Sequence, residues 1–424
     1  MKKKWLIFIL GILGGCLLAE YTYRGEVEID PATQRLRGDL ELGYPASQIS
    51  PGGEVELLLH RGLIVEDIKG PWLGDYTVME GNRLFPFAPE ARTLKIRLKK
   101  EKPKTDKIRL RVRYHGRIGI VSEWEVNRIS AEFVELGLYA PWFPFHPGMR
   151  PFTFDIRVKV PSDYRVFGNG QASGGAGSFR LRSDRPRASM VLLAAPRYTV
   201  REKKQDPFRV QMVFLDAEAI LVEEIASLGL DLLRRYGEIF DRGDNRHHQL
   251  KMAVVPRKQG GGYVREDFFV LTPIAPESFR SRRVNYLRFF AHEVSHLWWQ
   301  QAPSQSWEDW LNESFAEYSA LRMVRERVGH EAFRALLAEK KEGLEELPPI
   351  RGISRESEAA YRVLYDKGCV LLFWLEEKLG SRRMDTLLVR LVRGKVGSTG
   401  EFLRCLRQVG GEEIASDFDR RLSK

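Results

Sequence analysis

His292-Glu293-Val294-Ser295-His296 is the stretch on which the reading of this chain turns. The run around it, Val284 to Gln301, predicts one helix. Two histidines four residues apart on a helix project from the same face, so both imidazoles can grip one ion. Glu293 lies beside that face, within reach of a water molecule that the ion would acidify. The same run carries Leu287, Phe289, Phe290, Val294, Leu297, Trp298 and Trp299. That is too apolar for an exposed helix, so the histidine pair is expected to face a partly buried cleft. The pattern points to the chemistry of a zinc hydrolase.

A catalytic zinc needs three protein ligands and one open position. Glu308 to Val328 reads as a second amphipathic helix, carrying Trp310-Leu311-Asn312-Glu313-Ser314-Phe315-Ala316-Glu317-Tyr318. Glu313 follows His296 after sixteen intervening residues. A carboxylate on a neighbouring antiparallel helix is well placed to complete a His-His-Glu set. Glu317 lies one turn further on and faces the same way. It reads as a residue that supports a ligand, with ligation by Glu317 itself as the alternative.

These residues carry a resemblance. The H-E-x-x-H motif followed by Trp310-Leu311-Asn312-Glu313-Ser314-Phe315-Ala316 is similar to the gluzincin zinc metallopeptidases of the aminopeptidase N and leukotriene A4 hydrolase family. The connection between His296 and Glu313 is slightly shorter than that family's. The resemblance implies one Zn2+ per chain, held by His292, His296 and Glu313, with Glu293 as the general base. Tyr365-Asp366-Lys367-Gly368 resembles the family's Tyr-Glu-Lys-Gly motif, with Asp366 in place of the glutamate. It implies that Tyr365 donates to the oxyanion formed in peptide hydrolysis. Tyr361, one turn earlier, is a second candidate. Read without the family, Tyr365 is a helical tyrosine at a core edge.

Gly260-Gly261-Gly262-Tyr263-Val264-Arg265 lies between two predicted strands, Leu250 to Val255 and Phe268 to Leu271. The family places its Gly-x-Met-Glu-Asn segment here, where backbone pairs with substrate and the glutamate binds the free amino group. This chain keeps the glycines and lacks Met-Glu-Asn. The resemblance makes Gly261, Gly262, Tyr263, Arg265 and Glu266 the substrate-binding candidates. Either Glu266 or Asp267 replaces the amine anchor, or the protein is not a typical aminopeptidase. A plain glycine turn between strands is the other reading.

The expected architecture is α+β and multidomain. Residues 23–205 alternate in strand fashion, as in Lys107-Ile108-Arg109-Leu110-Arg111-Val112-Arg113-Tyr114, with Gly, Pro and Asp turns between. They predict an antiparallel β-sandwich or saddle. Residues 206–424 turn mixed and then mainly helical, which resembles a thermolysin-like catalytic domain. Many family members continue into a large helical C-terminal domain. A chain ending at Lys424 leaves no room for it, which implies a more open cleft.

Residues 1–22 stand apart as a signal or anchor segment. Lys2-Lys3-Lys4 precedes an almost wholly apolar run from Trp5 to Ala19. Leu13-Gly14-Gly15-Cys16 resembles a lipoprotein processing box, which would leave a lipidated Cys16 at the new N-terminus. A signal-anchor and a soluble secreted form cut near Ala19 are the alternatives. The first two place the catalytic part outside the cytoplasmic membrane and attached to it, because the lysines stay inside.

A net charge of +11 comes from basic residues scattered through strands and helices rather than clustered with aromatics, so nucleic-acid binding is not indicated. Of three cysteines, Cys369 and Cys405 fall in apolar helical patterns and read as core residues, with a bridge between them as the alternative. No Cys-x-x-Cys pattern suggests a second metal. The remaining histidines lack metal spacing. The expected function is a membrane-associated, extracytoplasmic zinc metallopeptidase acting on peptides. A non-catalytic zinc-scaffolded binding module is the rival from another class. Oligomeric state is not legible.

Overall fold

The computed structural model describes residues 21–424 except 51, 84, 86, 87, 100–105, 120–125, 216–218, 242–246 and 258–261. Residues 1–20 of the expected signal or anchor segment, Cys16 among them, and Gly260 and Gly261 of the glycine run lie outside the described residues, while Tyr21 and Thr22 already belong to a strand. The chain forms two compact units. The first holds residues 21–199 and 255–268, the second residues 200–254 and 269–424. The first break falls close to the boundary expected at 205. The segment 255–268, expected in the catalytic part, belongs instead to the first unit. The physical reason is polar: Glu266 and Asp267 are bound by Arg187 and its neighbours in the β-rich chain.

In the first unit, strict alternation writes the sheet. Strand Lys107–Arg117 buries Ile108, Leu110, Val112 and Tyr114 and leaves Arg109, Arg111 and Arg113 outward. Its partner Arg35–Pro45 runs antiparallel, with Leu40 opposite Val112 and Leu42 opposite Leu110. Gly38 faces Tyr114, and a Cβ there would overlap the tyrosine ring. Seven strands join in this sheet. Their order is Gln171–Gly175, Ser178–Arg187, Phe152–Lys159, Tyr21–Asp30, Arg35–Pro45, Lys107–Arg117 and Leu63–Lys69. The sheet departs from a purely antiparallel expectation at one place, where Tyr21–Asp30 and Phe152–Lys159 pair in parallel. Sequence alternation is the same for either direction, so this pairing could not be read from it. A three-stranded and a four-stranded sheet complete the unit. Tyr23, Phe143 and Phe152 pack edge to face at its core, and Tyr23 Oη donates to the Pro144 carbonyl at 2.8 Å.

After the strand Thr199–Gln205 the second unit runs β-α-β. Phe208–Phe214 and Gln249–Val254 pair in parallel, and the amphipathic helix Ala219–Tyr236 crosses between them. The two helices of the metal motif follow, Arg283–Ser295 and Trp310–Arg327. After them come His330–Lys341, a π-helical turn Arg362–Lys367, Gly368–Leu379, and three amphipathic helices that end at Leu422. Tyr236 Oη donates to the Ala291 carbonyl at 3.0 Å and so anchors the motif helix on the crossover helix. Phe240, Trp298, Trp299 and Phe315 continue that contact as an aromatic cluster. Each such side chain contributes about 1.5–3 kcal/mol by leaving water. Among the described residues, no helix is long and apolar enough to cross a membrane. Cys369 and Cys405 are both free, the first buried.

Candidate metal centre

The motif helix ends at Ser295, earlier than the Gln301 that its apolar pattern predicted. His296 is the cap, still in helical conformation, and so keeps the projection that the motif requires. The early end has a reason. His296 Nδ1 donates to the Trp299 carbonyl at 2.8 Å, and the chain must curl back after His296 to bring that oxygen there. His292 is fixed in the same way. Its Nδ1 donates to Glu317 Oε2 at 2.8 Å. Both rings therefore carry Nδ1–H, and each can offer its Nε2 lone pair to a proton or a metal ion.

Those two lone pairs face one another. The Nε2 atoms are 3.1 Å apart, and Glu313 Oε2 lies 3.4 Å from one and 3.6 Å from the other. Three such atoms converging on one point repel one another unless a proton or a metal ion sits between them. Donors about 2.0–2.1 Å from a tetrahedral zinc are about 3.3 Å from each other, which matches all three edges. His292, His296 and Glu313 form the one group among the described residues that could hold a metal ion. All three are buried, and among the described residues neither oxygen of Glu313 is within a normal hydrogen bond of a partner. The residues fit zinc. Glu317, weighed as an alternative ligand, stands behind His292 instead.

Local sequence explains the placement of Glu313. Asn312 clamps the connection between the two helices. Its Nδ2 donates to the Ala302 carbonyl at 2.9 Å and to Asp309 Oδ1 at 2.8 Å, and its Oδ1 accepts from the Ala302 amide at 3.1 Å. The next residue is thereby fixed to within a fraction of a turn. Ser314 donates to the Leu364 carbonyl at 2.6 Å, and a Cβ on Gly368 would overlap its hydroxyl. The glycine of Tyr365-Asp366-Lys367-Gly368 is needed because this segment lies directly on the Glu313 helix. Tyr365 is buried, and its ring is parallel to that of His292, within 7° and 5.7 Å between centroids. Arg355 pairs with Asp309 at 3.3 Å and also reaches the Tyr365 hydroxyl. Tyr361 stacks on Tyr365 but is half exposed.

The electrostatics follow from burial. Burial opposes charge on Glu313, yet His292 and His296 outweigh it and hold the carboxyl down to about 2. Burial also opposes charge on His292, while Glu313 and Glu317 push it up to about 10. The negative field that favours a proton there favours a divalent ion equally. Burial pushes Glu293 up to about 7 against the pull of both histidines, and neither of its oxygens has a hydrogen-bond partner. Burial raises Tyr365 well above its ordinary value, so it stays a neutral donor.

The substrate-binding candidates are placed differently. Gly262, Tyr263, Arg265 and Glu266 belong to the first unit. Tyr263 and Arg265 are buried, and the guanidinium lies over the Tyr139 and Tyr263 rings at 5.2 and 5.1 Å. Glu266 accepts from the Ala188 amide at 2.8 Å and from Asn169 Nδ2 at 3.4 Å, with Arg187 at 3.8 Å. Its carboxylate is thus engaged by protein groups. Sequence reasoning missed Lys340 and Arg288, which flank Glu317, because neither belongs to a motif.

The helix pair and its triad define a gluzincin-type zinc centre. Residues 262–418 match the model of the peptidase family M1 domain. The match covers the catalytic part of the chain, a zinc metallopeptidase-like domain with zinc as its cofactor. The whole fold is similar to the M1 zinc metallopeptidase of Deinococcus radiodurans, solved with a Tyr-Ser-Ala substrate. That match has a TM-score of 0.69 at 19% identity and covers 99% of this chain and 96% of that one. It is also similar to native leukotriene A4 hydrolase of Saccharomyces cerevisiae, with a TM-score of 0.67 at 16% identity, over 94% of this chain and 67% of that one. Comparison with curated protein sequences returns no match.

Proposed function

We propose that this chain is a membrane-associated, extracytoplasmic zinc peptidase of aminopeptidase-like type. The observation that carries the catalytic reading is the triangle of Nε2 and Oε2 atoms, with edges of 3.1, 3.4 and 3.6 Å. A bound zinc ion supplies a Lewis acid that acidifies the attacking water and polarises the scissile carbonyl. Glu293 takes the proton from that water and delivers it to the leaving nitrogen. Its unpaired carboxylate, buried within the motif helix, supports this role. A purely structural zinc module would gain nothing from a buried acid without donors, and would be destabilised by it. The Tyr365 hydroxyl donates to the oxyanion that develops in the transition state. The parallel stack on His292 fixes the ring that presents it. The membrane and compartment part of the proposal rests on Lys2-Lys3-Lys4, the apolar run to Ala19 and Cys16.

Paired peptides test the catalytic reading, one set with a free amino end and one acetylated, each with and without a zinc chelator. Chelator-sensitive cleavage of free-ended peptides alone is expected. Cleavage of both sets would make the protein an endopeptidase. No cleavage of either by zinc-loaded protein would sink the peptidase reading. For the anchor, mass spectrometry of the N-terminus of the membrane fraction distinguishes lipidation from a signal-anchor. A lipid-modified Cys16 at the new N-terminus is expected for a lipoprotein, an intact segment from Met1 for an anchor.

A further inference from the structure

Lys340 is buried on a helix that is otherwise largely solvent-facing, His330–Lys341, where only Phe333 shares its burial. A lysine with 5% exposure is rare and needs partners. It has two. Nζ lies 2.8 Å from Glu317 Oε1 and donates to Asp366 Oδ1 at 2.6 Å. Both carboxylates lead back to His292. Glu317 Oε2 holds Nδ1 of His292, and Asp366 is the residue after Tyr365. Tyr365 in turn stacks on His292. The contacts close a ring from His292 through Glu317, Lys340, Asp366 and Tyr365 back to His292.

Charge neutralisation alone does not call for Lys340. Glu317 already has Arg288 Nη1 at 3.0 Å, and Asp366 already has Arg362 Nε at 3.0 Å. Remove Lys340, and each carboxylate keeps one guanidinium. A buried ion pair is also a weak device for stability, since an apolar side chain of similar volume does as well. What Lys340 alone does is join the two carboxylates. We propose that Lys340 is a positioning residue. It ties the zinc ligand His292 and the oxyanion donor Tyr365 into one rigid frame, so that neither can rotate without the other. The inference rests on the peptidase reading for Tyr365 and on the zinc reading for His292.

The test uses the full chain carrying Lys340→Met and, separately, Asp366→Asn, which touches no metal ligand. Zinc affinity is measured by competition with a chromophoric chelator. The visible absorption of the cobalt-substituted protein reports ligand geometry, and kcat and KM are taken on a cleaved peptide. Losing support behind a metal-bound histidine costs about 10–100-fold in affinity or activity, and Lys340→Met is expected in that range. Its kcat should fall while KM holds, and its cobalt band should shift. Asp366→Asn should move affinity and band the same way, though less. Wild-type affinity and an unchanged cobalt band in both variants, with only the melting temperature lowered, would make Lys340 a structural ion pair and overturn the proposal. If Lys340→Met does not fold, Asp366→Asn decides by the same readouts. A wild type that binds zinc and cleaves nothing removes the peptidase reading, yet affinity and cobalt band still judge the frame. A wild type that takes up no metal overturns both.

Discussion

Glu266 in the first unit, largely shielded from water, and Glu313 in the second, fully buried, are carboxylates with opposite surroundings. The oxygens of Glu266 meet an amide hydrogen from Ala188 and an Asn169 amino group, and Arg187 stands alongside. Among the described residues, Glu313 meets the Nε2 atoms of His292 and His296, which are metal ligands by geometry. A carboxylate that faces donors is complete as it stands. One that faces other acceptors is complete only when a cation arrives. The difference separates a structural knot from a metal centre without reference to any motif. It rests on counting donors, since burial alone is common to both.

The largest expected effect lies beside Glu313. Glu293→Gln keeps shape and removes the carboxylate proposed as the base, so zinc should remain stoichiometric while kcat falls by about 10³–10⁴. Metal content and steady-state rates on the same preparation check this. Near-normal hydrolysis by zinc-loaded Glu293→Gln would remove Glu293 from the mechanism.

Glu313→Ala tests the cation argument directly. Zinc at a thousandfold excess over its dissociation constant should stabilise the wild type by about 4 kcal/mol. The variant should lose most of that gain, read as the difference in unfolding with and without zinc. An undiminished zinc-dependent shift would mean that Glu317 or another group is the third ligand.

How much of this contrast was legible follows from the range of the interactions. His292, Glu293 and His296 sit within one helical turn, and helix geometry alone sets their common face. Glu313 needed a second helix, and Asn312 with its fixed partners makes that motif local enough to recognise. The Glu317 support was half legible, as a residue on the correct face. Lys340 and Arg288 were not, because they meet Glu317 only through tertiary packing. For Glu266 the reading pointed toward substrate, whereas its carboxylate is tied to Ala188 and Asn169, both many residues earlier in the chain. The helix end at Ser295 escaped for a related reason. The apolar pattern continues through Trp298 and Trp299, and only the hydrogen bond from His296 shows why the backbone turns. The strand alternation around Val112 was plain, but the parallel partner of Tyr21–Asp30 was not, since period two carries no direction.

On the structural side of the contrast, Arg187 holds Asp267 as well as standing beside Glu266. Arg187→Met leaves both without their guanidinium and should lower stability by about 3–5 kcal/mol, since breaking a buried pair costs more than forming it gains. Zinc affinity should stay at the wild-type value. Denaturant unfolding and chelator competition together separate the two. A loss of zinc affinity matching that of Glu313→Ala would erase the distinction between knot and metal centre.

The smallest effect concerns a third setting, a carboxylate satisfied at the surface. Asp39 takes both Nε and Nη2 of Arg111 at 2.6 and 2.7 Å on the outer face of the seven-stranded sheet. The hydrogen bonds from Arg111, aided by its charge, hold the Asp39 carboxyl below its ordinary value. A depressed carboxyl binds its proton later in the folded state than in the unfolded one. Its contribution is therefore whole above the unfolded value of about 3.9 and is lost as pH falls through the folded one. With Asp39 about one third exposed, solvent and salt screen the pair to well under about 1 kcal/mol. Unfolding measured from about pH 5 to about pH 3 should show a slightly shallower loss of stability in Asp39→Asn than in the wild type. Identical slopes would mean that the guanidinium does no more for Asp39 than water does. The useful ranking of carboxylates in this protein would then have only two classes, those that wait for a cation and those that do not.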